Sequence, residues 1–389
     1  MIGKVTISID RAPGYAFVPA RSIDEARLIA FSVAVWPNRP PDQLVARWWR
    51  RADPRCAVAA VHEATGAMAG FCSARPSDWV IDGQRTPTFA VCDWYVAPAH
   101  AGKGLGKCLL QHFEMIDKFV YAFALSDAAV ANFKKLGWAG PHRASLMGLP
   151  LPSIAKLRAA VFAERSSVEL EDWVVGPAGP ARVRANRASV CRQDHAHVDD
   201  SGAFGGPLNP GHPLGALGPE LDRIEASRLS DGGAHMWRGE SEWQWRLSVC
   251  GERSYHFCLA RRAGEPVGYV VVRRLTPGRS RQLGRIPGAM ITDMVAVGDE
   301  PAVLHALARR AVAISSKLGA AVVLAASNRR SQQDALGKAG FLSPDFPVLG
   351  RALTRRSPQY MWVPKGPGVH ISAGMMALTF ADSDADLLL

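Results

Sequence analysis

The sequence of 389 residues has no Cys-x-x-Cys pair, which excludes the common zinc-ribbon and dithiol arrangements. Its seven cysteines (Cys56, Cys72, Cys92, Cys108, Cys191, Cys250, Cys258) are scattered and odd in number. A reducing compartment is therefore expected, and a disulfide frame is not. No run of eighteen apolar residues occurs, so no membrane span is expected. The stretch Met1–Asp10 alternates apolar and polar residues like a strand and lacks a signal-peptide core. There is no block of five or six consecutive basic residues, which argues against a nucleic-acid-binding tail. Together these absences lead us to expect a cytoplasmic protein with no membrane and no nucleic-acid partner.

Acidic side chains are in deficit, 35 against 46 Lys and Arg, for a formal charge of +11. A basic surface suits nucleic acid, and it equally suits polyphosphate ligands such as coenzyme A or nucleotide sugars. Apolar residues make up 48%, enough for a sizeable core, and the length accommodates two or three domains.

The most informative stretch is Cys92–Leu110. A strand (Val91 to Val96) stops at Pro98, a glycine-rich turn follows at Gly102, Gly104 and Gly106, and a helix opens at about Lys107. Such a turn leaves bare amide N–H groups at the helix start, with the helix dipole behind them, which forms an anion site. Glycine is expected there because a Cβ would hold a phosphate away and because the turn visits positive φ. The Walker A pattern fails: only three residues separate Gly102 from Gly106, and Cys108 follows Lys107. The Rossmann pattern fails because Leu109 stands where its third glycine belongs.

Tyr95-Val96-Ala97-Pro98 followed by Gly102-Lys103-Gly104-Leu105-Gly106 resembles the pyrophosphate loop of the GNAT superfamily of acyl-CoA-dependent N-acyltransferases. Ala101 stands where that family has Arg or Gln. A second stretch, Asn132-Phe133-Lys134-Lys135-Leu136-Gly137-Trp138, resembles the family's final-helix signature. Two signatures in the right order are much more specific than either one. Further on, Thr292-Asp293-Met294 parallels Cys92-Asp93-Trp94, and Gly340-Phe341 parallels Gly137-Trp138, at an offset of about 200 residues. The second copy has Gly298-Asp299-Glu300-Pro301 where the glycine turn would be, and its carboxylates would repel a pyrophosphate.

The resemblance implies an α/β (α+β) fold of two tandem GNAT-like domains. Each is expected to be a mixed, mostly antiparallel twisted sheet flanked by helices, the second without a working CoA site. Expected boundaries are 1–150 for the first domain, 151–237 for a linker or irregular segment, and 238–389 for the degenerate domain. It implies an acyl-CoA co-substrate, acetyl or longer, no metal, a small-molecule amine acceptor, and a monomer or homodimer. Tyr95 and Val96 would pair with the pantetheine arm and polarise the thioester, Gly102, Lys103, Gly104, Leu105, Gly106 and Lys107 would hold the pyrophosphate, and Asn132 would bond the pantetheine arm. Asp93 is the candidate base, with Asp293 its counterpart. Phe133 replaces the tyrosine that many members use as the acid, so either another acid serves or the thiolate leaves unaided, its thiol pKa being roughly 8.5. Trp79, Trp94, Trp243, Trp245, Arg246 and His256 are candidate acceptor walls between the domains.

Tandem chains of this kind resemble acyltransferases of nucleotide-amino-sugar assembly, and Phe380-Ala381-Asp382-Ser383-Asp384 looks like an ending common in that group, with Ala381 replacing Gly. Two other readings stand beside this one: a Fem-type aminoacyl-tRNA-dependent transferase and a non-catalytic acyl-CoA sensor. His195 and His197, with Asp194, Asp199 and Asp200, read as a solvated polar loop because no second ligand cluster completes a coordination shell.

Overall fold

The computed structural model describes residues 12–35, 56–116, 120–123, 127–151, 168–176, 179–183, 214–249, 254–275, 285–342, 359–364 and 376–377. The chain divides into two compact units. The first comprises Met1–Trp79, Arg85–His142 and Tyr360–His370; the second comprises Val80–Gln84, Arg143–Gln359 and Ile371–Leu389. The strand-like stretch Met1–Asp10, the His195/His197 loop and the acidic ending fall outside the described residues.

The first unit opens with β1 (Tyr15–Pro19) and α1 (Glu25–Val35). It continues through β2 (Ala57–His62), β3 (Met68–Ile81), β4 (Gln84–Val91) and β5 (Tyr95–Val96). Then come α2 (Leu105–Ile116), β6 (Val120–Phe123), α3 (Asp127–Lys135) and β7 (Trp138–Pro150), the last continuing into the second unit. The sheet order is β1-β2-β3-β4-β6, followed by the strand Gln359–Pro364. The β4–β6 pair is parallel, while β1–β2, β2–β3 and β6 with Gln359–Pro364 are antiparallel. Asp82 and Gly83 turn β3 into β4 with φ of 50° and 75°, the pair of positive values that a type I′ hairpin needs.

One face of this sheet carries the alternating residues Val58 and Ala60, Cys72 and Ala74, Phe89 and Val91, and Val120 and Ala122, the period of two that points every second side chain inward. Leu105, Leu109 and Phe113, one helical face of α2, pack on them together with Phe133 and Trp138. The other face meets α1 through Leu28 and Phe71, with Phe31 against them. The N-cap of α1 is Asp24: its Oδ1 accepts from the amides of Ala26 (2.8 Å) and Arg27 (3.3 Å). Ser22 closes a short 3-10 turn by donating to the carbonyl of Pro19.

The second unit adds β8 (Glu169–Gly176), β9 (Gly179–Val183), α4 (Leu217–Ser227), β10 (Ala234–Met236) and α5 (Glu240–Val249). These precede β11 (Tyr255–Arg262), β12 (Glu265–Leu275), β13 (Gly288–Ala296), α6 (Pro301–Lys317), β14 (Val322–Ser327) and α7 (Arg330–Lys338). Its sheet runs β7-β14-β13-β12-β11-β8-β9, with only β13–β14 parallel. The order β11-β12-β13-α6-β14-α7 repeats β2-β3-β4-α2-β6-α3. Val303, Leu304, Leu307 and Ala311 of α6 cover one face of the sheet, and Leu217, Leu221, Trp243 and Leu247 of α4 and α5 cover the other.

β3 runs on through Pro76: past Ser73 this strand outruns its partner β2, so the missing proline N–H removes no bond of that ladder. Two expectations change. The strand expected from Val91 to Val96 is broken at Cys92–Trp94. The segment read from composition as linker holds β8, β9, α4 and β10, with Gly218 and Pro219 inside the first turn of α4. No helix among the described residues is long and apolar enough to cross a membrane.

The second unit buries charge as well as hydrocarbon. Glu225 and Arg228 pair at 2.7 Å, Arg246 and Glu242 at 2.8 Å, and Arg238 and Asp293 at 3.4 Å, all largely or wholly out of solvent. His235, also buried, lies among Arg228, Arg238 and Arg329, and burial plus these cations lower its pKa to about 2. The Glu225 carboxylate is 3.7 Å away, but it already accepts from Arg228 and from the Arg238 amide. Burial also lowers His256, and His112 in the first unit, to about 4.

A lowered histidine pKa means that the unfolded chain binds more protons below pH 6.5, so stability falls as pH drops through that range. Each such group costs about 1.4 kcal/mol per pH unit between its unfolded and folded values. Urea melts at pH 7, 6 and 5 are expected to show this loss, and His235→Gln to show a shallower slope; a flat profile in the native protein contradicts it. Phe113→Ala is expected to cost about 3–5 kcal/mol in the same melts.

Candidate functional site

In the first unit the parallel ladder of β4 and β6 spans Phe89–Val120, Ala90–Tyr121 and Val91–Ala122. Beyond it, the Cys92 amide still donates to the Ser73 carbonyl (2.8 Å), and pairing resumes at Tyr95 with Phe71. Three steps along one strand thus match two along the other, which is a bulge. Asp93 and Trp94 occupy it.

Trp94 is the brace of the site. Its indole N–H donates to the Gly106 carbonyl (3.1 Å), and its ring meets Phe133 edge-on at 5.1 Å. Phe133 is fully buried and stands edge-on to Trp138 at 4.4 Å. The position that carries a tyrosine in the family's signature is therefore a packed aromatic in this chain, linking α3 to the bulge.

After a 3-10 turn at Pro98–His100 the chain passes through Gly102 and Gly104, each with φ of 78°. A Cβ at either would meet open space, so these two are glycine for their backbone conformation. Gly106 is different: its Cβ would lie 2.9 Å from the Trp94 ring. α2 begins at Leu105, two residues earlier than expected, and its first helical bond runs from the Cys108 amide to the Gly104 carbonyl. The amides ahead of Cys108 have no acceptor within the helix. A turn open on the Cβ side of Gly102 and Gly104, ahead of first-turn amides, fits a diphosphate.

Asp93 is almost fully buried and accepts a hydrogen bond from Ser73 Oγ at 3.3 Å. Burial first, and the nearby Asp93 second, push the Cys72 thiol well above its ordinary pKa. Tyr95 and Val96 form β5 and are half-buried. Lys103 and Lys107 are exposed, Leu105 is buried in the core, and Asn132 lies exposed on α3. Leu105 thus serves packing through its side chain. Trp79 and Trp243, expected as acceptor walls, are fully buried, Trp79 against Tyr121 and Trp243 against Phe257. Arg246 is likewise buried, on Glu242. Among the described residues no group of three or more His, Cys, Asp or Glu is placed to hold a metal.

Two features were missed from sequence. The first is the Trp94 brace, which no local pattern signals. The second is a cluster beside the glycine turn. Lys103 Nζ donates to Tyr15 Oη at 3.0 Å, Tyr15 Oη bonds His100 Nδ1 at 2.8 Å, and the His62 and His100 rings are 5.5 Å apart.

The second unit repeats the scaffold with its openings filled. The β13–β14 ladder ends at Ile291–Ala325, and a bulge falls at Thr292 between Val271 and Val272. Asp293 is fully enclosed. It accepts from the Tyr269 hydroxyl (2.7 Å) and the Met294 amide (3.0 Å), and burial together with Asp293 pushes the Tyr269 pKa well up. The Met294 carbonyl accepts from Gln332 Nε2 (2.7 Å), and Ser327 Oγ holds Gln332 Oε1. The Gly298 amide, in the turn before α6, donates to Asp231 Oδ1 (3.0 Å), while Asp299 pairs with Arg329.

Gly106→Ala is expected to displace the Trp94 ring and cost about 1–3 kcal/mol as an overpacked site. Gly104→Ala, which meets no atom, is expected to cost about 1–2 kcal/mol through its left-handed backbone alone. Tryptophan fluorescence and urea melts separate the two, since only the first variant changes the indole signal.

Residues 21–138 match the model of the Acetyltransferase (GNAT) family. A GCN5-related N-acetyltransferase from Anabaena variabilis is similar in structure, with 16% identity, a TM-score of 0.55, and coverage of 90% of this chain and 72% of that one. A conserved protein from Enterococcus faecalis, described as a probable N-acyltransferase, is similar at 10% identity and a TM-score of 0.54 over the same shares. A search of curated proteins finds no match. Residues 21–138 thus match a domain of the acetyltransferase (GNAT) family, and the second unit repeats the same strand-turn-helix scaffold.

Proposed function

We propose that the first unit transfers an acyl group from a CoA thioester to the amine of a small acceptor, and that the second unit does not bind the carrier. One contrast supports this most directly. Among the described residues no side chain holds an amide of Gly102, Gly104 or Gly106, whereas the counterpart at α6 has the Gly298 amide taken by Asp231 and the Met294 carbonyl by Gln332.

Acyl transfer needs the two reactants held close, the carbonyl polarised, the amine neutral and the thiolate able to leave. In this reading the amides of Gly102–Lys107 hold the diphosphate, and the β5 backbone at Tyr95 and Val96 takes the pantetheine arm, with Asn132 at its side. Asp93 accepts the amine proton through a water, since its carboxylate is short and held by Ser73. Phe133 offers no proton, so the thiolate departs unaided, at a thiol pKa of roughly 8.5. Asp293, saturated by Tyr269, Met294 and Arg238, serves the fold of its own unit. The acceptor class favoured by the sequence resemblance is a nucleotide-linked amino sugar, and the cytoplasm is the expected setting. The open glycine turn favours an acyl-CoA donor over the aminoacyl-tRNA of the Fem-type enzymes.

Acetyl-CoA at about 100 times its Kd is expected to raise Tm by several degrees, such binding being worth about 2.7 kcal/mol. Gly104→Glu is expected to abolish the shift while remaining folded. Free-thiol release with a panel of amines, nucleotide-linked amino sugars included, distinguishes an enzyme from a sensor. Asp93→Asn is expected to lower kcat at least about 10²-fold with little change in KM for the acyl-CoA. No stabilisation by any acyl-CoA overturns the proposal.

A further inference from the structure

Lys103 stands between two left-handed glycines, Gly102 and Gly104, so its position is fixed by the turn itself. Its ammonium donates to the Tyr15 hydroxyl at 3.0 Å and lies 5.6 Å from the centre of the Tyr15 ring. The same hydroxyl bonds His100 Nδ1 at 2.8 Å, so Lys103, Tyr15 and His100 form one hydrogen-bonded chain.

His62 is tethered similarly: its Nδ1 bonds Thr65 Oγ1 at 2.9 Å, and that oxygen accepts from the Ala67 amide (3.3 Å). The Tyr15, His62 and His100 rings form a triangle with centroids 5.2, 5.6 and 5.5 Å apart. Both imidazoles are half-exposed, and Lys103 is exposed.

The outcome is a partly exposed group of one ammonium and two imidazoles, each imidazole tethered through its Nδ1. A ligand suited to it carries a compact anion, which is the description of a phosphate monoester. The pyrophosphate of a CoA carrier would lie on the adjoining helix amides, and the carrier's remaining phosphate is the monoester on its ribose 3′ oxygen. We infer that Tyr15, His62, His100 and Lys103 form a subsite for this 3′-phosphate. The inference rests on the acyl-CoA reading of the glycine turn.

The test is isothermal titration of the full chain with acetyl-CoA and with its 3′-dephospho analogue, in the native protein and in a His62→Ala/His100→Ala variant. One charge-assisted contact set of this kind corresponds to about a tenfold preference. The native protein is expected to prefer acetyl-CoA by at least that factor, and the variant to narrow the preference to about twofold or less. Tyr15→Phe is expected to narrow it as well, with a ligand-free Tm close to native serving as the folding control. Equal affinity of the native protein for both ligands overturns the subsite while leaving the acyl-CoA reading intact. A tenfold preference that persists in both variants overturns the assignment to these residues. Binding of neither ligand overturns the subsite and the reading together.

Discussion

Three paired residues set the geometry of the first unit. Phe89, Ala90 and Val91 lie parallel to Val120, Tyr121 and Ala122, and the ladder ends there. A strand that leaves its ladder carries backbone groups still in need of partners, because an unpaired buried amide or carbonyl costs as much as a lost hydrogen bond. The bulge at Asp93–Trp94 bends the strand at that point, and Trp94 converts the bend into a fixed distance by reaching the first turn of α2. The glycine turn has its shape because the indole holds one end of it, and Gly106 is glycine because of that indole.

The second unit shows what the same scaffold does when it satisfies itself. Its ladder also ends early, at Ile291–Ala325, and it also bulges, at Thr292. There Gln332 takes the strand carbonyl and Asp231 the turn amide. Both are side chains of the same chain, tethered nearby, so they occupy those groups without the translational cost that a free ligand meets. The buried ions Glu225, Arg228, Arg238 and Asp293 follow from this closure. Buried charges persist when each has a partner, and these are paired or hydrogen-bonded within the unit. His235 is neutral at ordinary pH because burial, and then the surrounding guanidinium groups, disfavour another cation.

The two units therefore separate architecture from chemistry. Each has a helix laid on one face of a mostly antiparallel sheet, with one parallel pair next to it. The difference lies in a few side chains at the helix mouth: Gly102, Gly104 and Gly106 in one, Gly298, Asp299 and Glu300 in the other. This is the general relation of fold to function, in which the site and not the scaffold carries the chemistry.

Much of this was legible in the sequence. The elements from Ala57 to Gly137 and from Tyr255 to Gly340 follow from period-two and helical spacing, from Gly137 and Gly340 as helix stops with φ of 83° and 95°, and from the repeat itself. The glycine turn and the family resemblance are local in sequence, because amide donors, positive φ and helix starts are set by neighbours along the chain. What could not be read there involves partners far apart in sequence. Composition hid β8, β9 and α4, since an apolar face is recognised only once the surface it covers is known. Tyr15 with His100, Trp94 with Gly106, Asp231 with Gly298 and Gln332 with Met294 are contacts that exist only after the sheets have formed. Local spacing determined where a helix mouth would form; tertiary packing decided which mouth stays open and which is closed by its own chain, because hydrogen-bond partners are chosen by distance in space.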